Sequence, residues 1–264
     1  MNRQKLSRVL AYGLCFILLA FSIRRNVQAE SPADRLQTIF DQGWALESRM
    51  HIDLANLDRA IALYEEAVAI APDNAEARWR LAEVTFKKSE ETPDRQKRKE
   101  MVTHSLNLAE KALALNPKSV GGMYWSGVAL ARLADMSGIL TAMKQIKQAK
   151  VYLHQAIQTD PDHRLSILSG VILALIYSES PWPLTDMDQA LELARWSMAK
   201  DPALTIATLS LGKIYLAEGK TDLAVKTLRQ CLATPAPTYV WDSVLYDWPE
   251  AKSILADLEK REQH

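Results

Sequence analysis

One short segment recurs along this 264-residue chain: AVAIAP at residues 67–72, ALALNP at 112–117, AIQTDP at 156–161 and SMAKDP at 197–202. CLATP at residues 231–235 repeats it with one residue fewer. Each copy contains a small residue first, apolar neighbours next and a proline last. A small residue lets two helices approach closely, and a proline cannot continue a helix. The recurrence therefore predicts an array of helix pairs.

Each interval between these prolines contains two helical patterns, and the last interval is the clearest. Leu211-Gly212 is followed by Tyr215, then by the turn residue Gly219 and by Ala224 on a second helix. This arrangement resembles the tetratricopeptide repeat (TPR), a helix–turn–helix unit of about 34 residues. The resemblance implies that Gly212 and Ala224 form the tight contacts between the two helices of the pair.

The predicted fold is all-α, a TPR-like helical-repeat solenoid of about five helix pairs with a C-terminal capping helix. The pairs extend from about Leu36 to Pro235, and the first of them is partial. A solenoid requires a cap at its end, because the last pair would otherwise expose its apolar face. The capping helix is predicted from Glu250 to Glu262, with Asp247 as its N-cap.

Three insertions lengthen the units, at residues 88–98, 135–141 and 178–185, each between the two helices of a pair. Insertions in solenoids gather on one face, which is often the binding face. The first is a run of charges, predicted to be solvated or to extend a helix. The third contains Pro181-Trp182-Pro183, whose indole either packs against the neighbouring pair or contacts a ligand. The high average burial of Trp favours packing.

Residues 1–29 have the layout of a secretory signal peptide. A basic start precedes the uncharged stretch 9–23, and VQA at residues 27–29 supplies the small residues of a cleavage site. Arginines directly after the apolar stretch hinder cleavage, so an uncleaved membrane anchor is the alternative, with a buried helix third. A signal peptide or an anchor places the predicted repeat domain, residues 30–264, outside the cytoplasm, in the periplasm of a bacterium.

Composition and charge exclude several classes of protein. With 48% hydrophobic and 24% charged residues, the chain is neither collagen-like nor disordered. Its 32 basic and 32 acidic residues cancel, but residues 1–29 contain no acid, so acids outnumber bases in the rest. The predicted repeat domain therefore lacks the basic surface typical of a nucleic-acid-binding protein.

The two cysteines indicate neither a disulfide nor a lipid anchor. Cys231 is the single cysteine of the predicted repeat domain, so that domain has no internal disulfide. Cys15 follows Leu14, whereas bacterial lipidation requires a small residue before the cysteine.

The sequence shows no arrangement of residues that would carry catalysis or hold a metal or cofactor. Its five histidines stand in no catalytic or metal-ligand spacing, and no Gly-rich phosphate-binding loop occurs. Gly121-Gly122 could begin an anion-binding helix, but a tight turn between repeats is the favoured interpretation. We therefore expect a non-enzymatic protein without a cofactor, since function must be carried by a site.

The first helix of each pair lines the concave side of such a solenoid, and here that side is predicted to be almost wholly apolar, with only Arg132 and Lys213 near it. The candidate ligand or partner face comprises Trp79, Phe86, Tyr124, Val128, Ala131, Leu168, Ile172, Leu175 and Leu209. Apolar stripes at helical spacing are usually core, which favours a closed superhelix. The alternative is a narrow channel for an apolar ligand, because an exposed patch of this size would be abnormal.

A second resemblance is carried by YWSGVALA at residues 124–131, which is similar to a stretch in the T component of TRAP transporters. Gly138, Ala156 and Asp160-Pro161 continue the likeness. Those proteins are periplasmic helical-repeat proteins that partner a substrate-binding subunit, and they resemble the eukaryotic regulators of microtubule dynamics. The resemblance implies an apolar pore and trimer formation. The chain departs from that family because it lacks the lipidation pattern typical of it.

Two classes of function remain. The first is a periplasmic helper of solute uptake that binds a partner protein, such as a transporter's substrate-binding subunit, with or without an apolar ligand. The second is a membrane-anchored scaffold for envelope protein assembly that holds no ligand. Association with further copies of the chain is compatible with both, and nucleic acid is a partner in neither.

Overall fold

The structure, a computed structural model, describes residues 31–181 and 183–262. The segment predicted to be a signal peptide or anchor, residues 1–29, and Trp182 of the third insertion lie outside the described residues. The described residues divide into two units, with the boundary between residues 38 and 39. In the first unit, Ser31 Oγ accepts a hydrogen bond of 3.1 Å from the backbone N–H of Asp34, at the start of a helix.

The described residues are helical and contain no β-strand, which confirms the predicted all-α solenoid. Five helix pairs follow one another. The first helices are α1 (Pro32–Glu47), α3 (Ala75–Glu90), α5 (Val120–Ala134), α7 (Arg164–Glu179) and α9 (Thr205–Ala217). The second helices are α2 (Ala55–Ile70), α4 (Arg95–Leu115), α6 (Ile139–Thr159), α8 (Met187–Lys200) and α10 (Thr221–Leu232). Among the described helices, none combines the length and apolarity that crossing a bilayer requires.

The second helices end where the recurring segment predicts. Four of them stop two residues before a proline, at Ile70, Leu115, Thr159 and Lys200. Proline disfavours helical backbone in the residue before it and cannot donate to the helical ladder. At three of these four joints, the next first helix begins with a capping side chain: Asn74 accepts from the N–H of Ala77 at 2.9 Å, Ser119 from that of Gly122 at 3.1 Å and His163 from that of Leu165 at 3.1 Å. The fourth helix, α9, begins after Leu204 without a side-chain cap.

Small residues hold the two helices of a pair together. A Cβ placed on Gly212 would lie 2.8 Å from Leu228 Cδ2, and one on Gly127 would lie 2.6 Å from Leu153 Cγ. Ala224 is fully buried on the opposite side of the α9–α10 contact. The predicted contact between Gly212 and the helix that carries Ala224 is therefore present in the structure.

Gly121-Gly122 lies in the first turn of α5 rather than in the turn before it. A Cβ on Gly121 would lie 2.3 Å from the indole of Trp79, and one on Gly122 would lie 3.0 Å from Leu113 Cγ. The Gly122 N–H is already bonded to Ser119. The glycine pair therefore serves the close approach of neighbouring helices.

The first two insertions lengthen second helices. α4 and α6 each have 21 residues, against 16 in α2, 14 in α8 and 12 in α10. The loops before them are short, because α3 continues to Glu90 and α5 to Ala134. The beginnings of α4 and α6 therefore extend beyond their partner helices. The described part of the third insertion forms the connection between α7 and α8.

The C-terminal cap begins earlier than predicted. A short helix α11 (Val240–Asp242) continues through a π-helical turn (Ser243–Asp247) into α12 (Trp248–Glu262). Ala251 and Leu255 of α12 pack against Leu228 and Cys231 of α10, as a cap requires. The prediction that Asp247 caps a helix starting at Glu250 is wrong, because the backbone is already helical there. The Asp247 carboxylate instead accepts a hydrogen bond from Thr205 at 2.6 Å.

Candidate ligand-binding cavity

A cavity of about 340 Å³ runs along the concave side of helices α3, α5, α7 and α9, and the C-terminal cap covers it. Successive residues on each wall follow helical spacing, as in Arg164, Leu168, Ile172 and Leu175 on α7. The middle of the cavity is apolar, and Trp125 and Ile206 add to the aromatic and aliphatic side chains there. This volume lies within the range of small-molecule sites.

Seven of the nine residues predicted for the inner face line this cavity: Phe86, Tyr124, Val128, Leu168, Ile172, Leu175 and Leu209. Trp79 and Ala131 lie outside its lining. Trp79 occupies the space that a side chain at Gly121 would need, so it serves the contact between α3 and α5.

The superhelix does not close on itself, although the apolar stripe favours closure. Leu168, Ile172 and Leu175 on α7 are only partly buried, because the walls remain apart along the cavity. Their partial exposure shows that helical periodicity alone cannot distinguish residues that line a cavity from residues that fill a closed core.

A group of charged side chains lies at the end of the cavity where α7 begins. We call Glu47, Glu83, Lys87 and Arg164 the buried charge cluster. Lys87 Nζ lies 3.0 Å from Glu47 Oε2 and 3.0 Å from Glu83 Oε1, while Arg164 Nη2 donates to Glu83 Oε2 at 3.2 Å. Tyr64 Oη donates to Glu47 Oε1 at 2.6 Å. The two carboxylates thus share one ammonium group, and each has a second donor.

Burial and ion pairing shift the pKa values of the side chains in this cluster in opposite directions. Glu47 is 1% exposed and Glu83 is 2% exposed. Burial would raise the pKa of Glu83, but Lys87 and Arg164 outweigh it and lower that pKa to about 2. For Glu47, burial prevails over Lys87 and raises the pKa. Burial disfavours the charged form of Lys87, yet both glutamates raise its pKa above the usual range. Lys87 is therefore the one ammonium group that pairs with both buried carboxylates.

Aromatic rings of α1 and the cap pack around these charges. Trp44 and Trp241 meet edge to face with centroids 5.4 Å apart, and Tyr239 lies 5.2 Å from Trp241. The Arg164 guanidinium stacks over Trp44 at 4.8 Å, a cation–π distance. Asp242 of the cap lines the same end of the cavity, and burial raises its pKa to about 6. The cap therefore completes both the apolar and the charged surface of the cavity.

Ion pairs and hydrogen bonds cross the other end, which we call the mouth and define by Glu90, Arg132, Lys213, Tyr246 and Glu250. Arg132 pairs with Glu90, and Tyr246 Oη donates to Glu91. Lys213 Nζ lies 3.0 Å from both Glu179 and Glu250. These contacts tie the cap to α3 and α9. Their side chains are partly exposed, so this is where the cavity meets solvent.

Two indole N–H groups that belong to the lining have no hydrogen-bond partner in the described part of the chain. They are Trp125 Nε1 and Trp241 Nε1, and both side chains are more than nine-tenths buried. A buried donor without a partner is costly. A ligand that carries an acceptor can satisfy it.

Comparison with known proteins shows which fold family this architecture is similar to. A sequence model described as regulator of microtubule dynamics protein 1-3 matches residues 44–172, and a tetratricopeptide repeat model matches residues 207–238. A thermophilic TPR protein of Thermus thermophilus has a similar structure, with a TM-score of 0.63 at 20% identity, over 83% of this chain and 99% of that one. The chain is a TPR-like helical-repeat protein. The fold suggests protein–protein interaction, and scaffolds of this type are generally non-catalytic.

Two further matches extend the comparison for this TPR-like protein. Regulator of microtubule dynamics protein 1 from Pongo abelii is 25% identical over 181 residues, which cover 63% of this chain and 58% of the relative. The chain thus spans a little over half the length of that curated relative. PilF from Pseudomonas aeruginosa has a TM-score of 0.57 at 16% identity, over 87% and 92% of the two chains. The structural likenesses concern the fold alone.

Sequence reasoning missed the buried charge cluster of this TPR-like protein. Glu83 and Lys87 stand four and eight residues after Trp79, so both share the stripe that was assigned to the inner face. That spacing was the available signal. Charged residues on a helix are usually solvated, however, and the partners Glu47 and Arg164 come from other units. Among the described residues, no group of three or more His, Cys, Asp or Glu could hold a metal ion.

Proposed function

We propose that this TPR-like protein is a non-enzymatic, extracytoplasmic helper of solute uptake that binds a partner protein and holds an apolar ligand in its cavity. The observation that carries the proposal is the cavity of about 340 Å³ along four first helices, with an apolar middle and a polar end. The stretch that resembles the TRAP T component supports it, because Tyr124, Trp125 and Val128 of that stretch form one cavity wall. The signal-like layout of residues 1–29 supports export.

The ligand expected from the lining has an apolar body and at least one hydrogen-bond acceptor. The apolar body fits against Phe86, Leu168 and Ile172, and an acceptor fits the indole donors of Trp125 and Trp241. Native mass spectrometry of the purified protein, followed by organic extraction, tests for such a molecule. A chain that carries no apolar molecule and takes none up would favour the alternative, a ligand-free envelope scaffold.

A filling variant makes the test specific to the cavity. Leu175→Trp on α7 places a large ring in the lining, and we expect it to weaken binding of the neutral fluorescent probe N-phenyl-1-naphthylamine by about tenfold or more, or about 1.4 kcal/mol. Leu193→Trp on α8 is the matched control, because Leu193 is also partly buried but packs against the α8–α9 core. Equal probe affinity in both variants would remove the cavity from the proposal.

The location and the partner have separate tests. A reporter fused after His264 should behave as exported, and a cytoplasmic signal would contradict the proposed location. The partner class is tested by mixing the purified protein with the substrate-binding subunit of a TRAP transporter from the same cell and measuring complex formation by size-exclusion chromatography. Failure to form a complex would leave the ligand-holding role standing without the transporter role.

A further inference from the structure

The beginnings of α4 and α6 form an overhanging edge beside the cavity mouth. α6 has 21 residues and its partner α5 has 15, so the first turns of α6 have no opposing first helix. Ile139 and Leu140 are therefore 79% and 78% exposed, which is unusual for two adjacent large apolar side chains. The preceding Gly138 faces open space, since a Cβ there would meet nothing within 4 Å.

The charge of this edge is basic, in contrast to the acidic balance of the rest of the body. Helix α6 contains no Asp or Glu over its whole length. Leu140, Lys144, Lys147 and Val151 follow one another at helical spacing and are all exposed, so one stripe carries two basic side chains between two apolar ones. Neither lysine has a salt bridge within residues 31–181 and 183–262.

Helix α4 adds further cations at the same end of its own pair. Arg95, Lys97 and Lys99 lie in its first two turns and are exposed. Two acids share this stretch and keep their negative charge: Asp94 caps the N–H of Lys97 at 2.7 Å, and Glu100 accepts from Gln96 at 2.8 Å. The edge therefore presents five cations against these two acids, around a two-residue apolar tip.

This edge lies on the same side as the cavity mouth. Along α3 and α5, the lining passes from Glu83 and Tyr124 to Glu90 and Arg132, close to the ends of those helices. α4 begins five residues after α3 ends, and α6 begins five residues after α5 ends. The overhanging turns therefore flank the opening.

We propose that the overhanging edge, comprising Arg95, Lys97, Lys99, Ile139–Leu140, Lys144 and Lys147, docks the protein onto an anionic lipid bilayer surface. Ile139 and Leu140 enter the headgroup region, and the cations contact anionic headgroups, as in interfacial amphipathic segments. A bilayer fits better than a protein because Ile139 and Leu140 are exposed over most of their surface and line neither of the shallow depressions on α4 and α6. Docking goes beyond the proposed function and does not require an occupied cavity. It turns the mouth toward the membrane.

The test places a reporter on α6 in the full chain. Leu140→Cys, in a chain with Cys15→Ser, is labelled with nitrobenzoxadiazole; Cys231 is fully buried, and the unsubstituted chain measures any background labelling. Vesicles of phosphatidylcholine with one third phosphatidylglycerol should shift the emission at position 140 to the blue and increase it severalfold. The matched control is Gln158→Cys, which is exposed at the other end of α6, about 27 Å away. Its signal should not change, even if residues 1–29 tether the chain to the vesicle.

Charge variants complete the test. Lys144→Gln with Lys147→Gln should raise the amount of anionic lipid needed for half of the signal at position 140 by on the order of tenfold. Lys226→Gln, an exposed lysine on α10, should leave it unchanged. The same response at positions 140 and 158, or no response to vesicles, would overturn the proposal and leave an acidic protein surface as the partner of this edge. An equal response to pure phosphatidylcholine would overturn the role of the cations.

Discussion

Lys87 is the residue on which the greatest number of buried charges depends. Its ammonium group lies 3.0 Å from both Glu47 and Glu83, which come from two different helix pairs. Taking three such charges out of water is costly, and the cost is offset only while each has its partner. A single side chain on α3 therefore links the first pair, the second pair and, through Glu83, Arg164 of α7.

Replacing Lys87 should be far more harmful than replacing its neighbour. Lys87→Met leaves two buried carboxylates to share no ammonium group, and we expect a loss of about 3–5 kcal/mol in the free energy of unfolding. Lys88→Met removes only an exposed pair with Asp58 and should cost less than about 1 kcal/mol. Urea unfolding followed by circular dichroism measures both. Similar losses in the two variants would contradict the assigned network.

Asp247 makes the stability of the fold dependent on pH. Burial raises its pKa to about 7. The folded state then binds a proton that the unfolded state has already released between about pH 4 and pH 7, so stability is present at low pH and lost as pH rises through 7. Asp247→Asn, which keeps an acceptor for Thr205, should remove this loss. Its stability relative to the natural chain should rise by on the order of 2 kcal/mol from pH 5 to pH 8. A constant difference across that range would show that Asp247 stays ionised.

At the scale of helices, the repeat could be predicted but its irregularities could not. The prolines predicted the ends of α2, α4, α6 and α8, because proline acts locally on the backbone. The lining of α7 was found from spacing alone. The charge cluster was missed because its partners lie up to 81 residues apart in sequence, between Glu83 and Arg164. Periodicity within one helix contains no information about which distant charge faces it.

Gly127, inside α5, and Gly138, directly before α6, allow the effect of packing on stability to be separated from the effect of the backbone. Gly127→Ala places a Cβ 2.6 Å from Leu153 Cγ, and overpacking costs about 1–3 kcal/mol. The higher helix propensity of Ala over Gly stabilises the fold by at most about 1 kcal/mol, so the net effect should be destabilising by about 1–2 kcal/mol. Gly138→Ala, in open space, should change stability by less than about 1 kcal/mol. Thermal melting of both variants decides the matter, and an unchanged Gly127→Ala melt would mean that α5 and α6 are less closely packed.

For the molecule as a whole, the cap both ends the solenoid and covers the cavity. A chain that stops after Thr234 exposes Leu228 and Cys231 and loses Tyr239, Trp241 and Asp242 from the lining. We expect it to lose about 3 kcal/mol or more of stability and to lose probe binding.

A chain that stops after Leu258 is the control for this truncation. It removes residues 259–264, of which residues 259–261 are exposed, and should keep both stability and binding. Size-exclusion chromatography, urea unfolding and probe fluorescence test the pair of chains. Retained binding in the shorter chain would show that the four first helices suffice to hold a ligand.

The π-helical turn at Ser243–Asp247 has a geometric consequence for this cap. A π turn accommodates one residue more than an α-helical turn, and one residue corresponds to a rotation of about 100° around the helix axis. The side chains before the turn can therefore face the cavity, as Trp241 does, while Ala251 and Leu255 after it face α10. Removing one residue from the turn, such as the exposed Val244, would turn one of these two faces away from its surface. The extra residue sets the angle between these two faces around the helix axis. One continuous helical segment can therefore cover both the cavity and the outer side of α10, although the two lie in different directions.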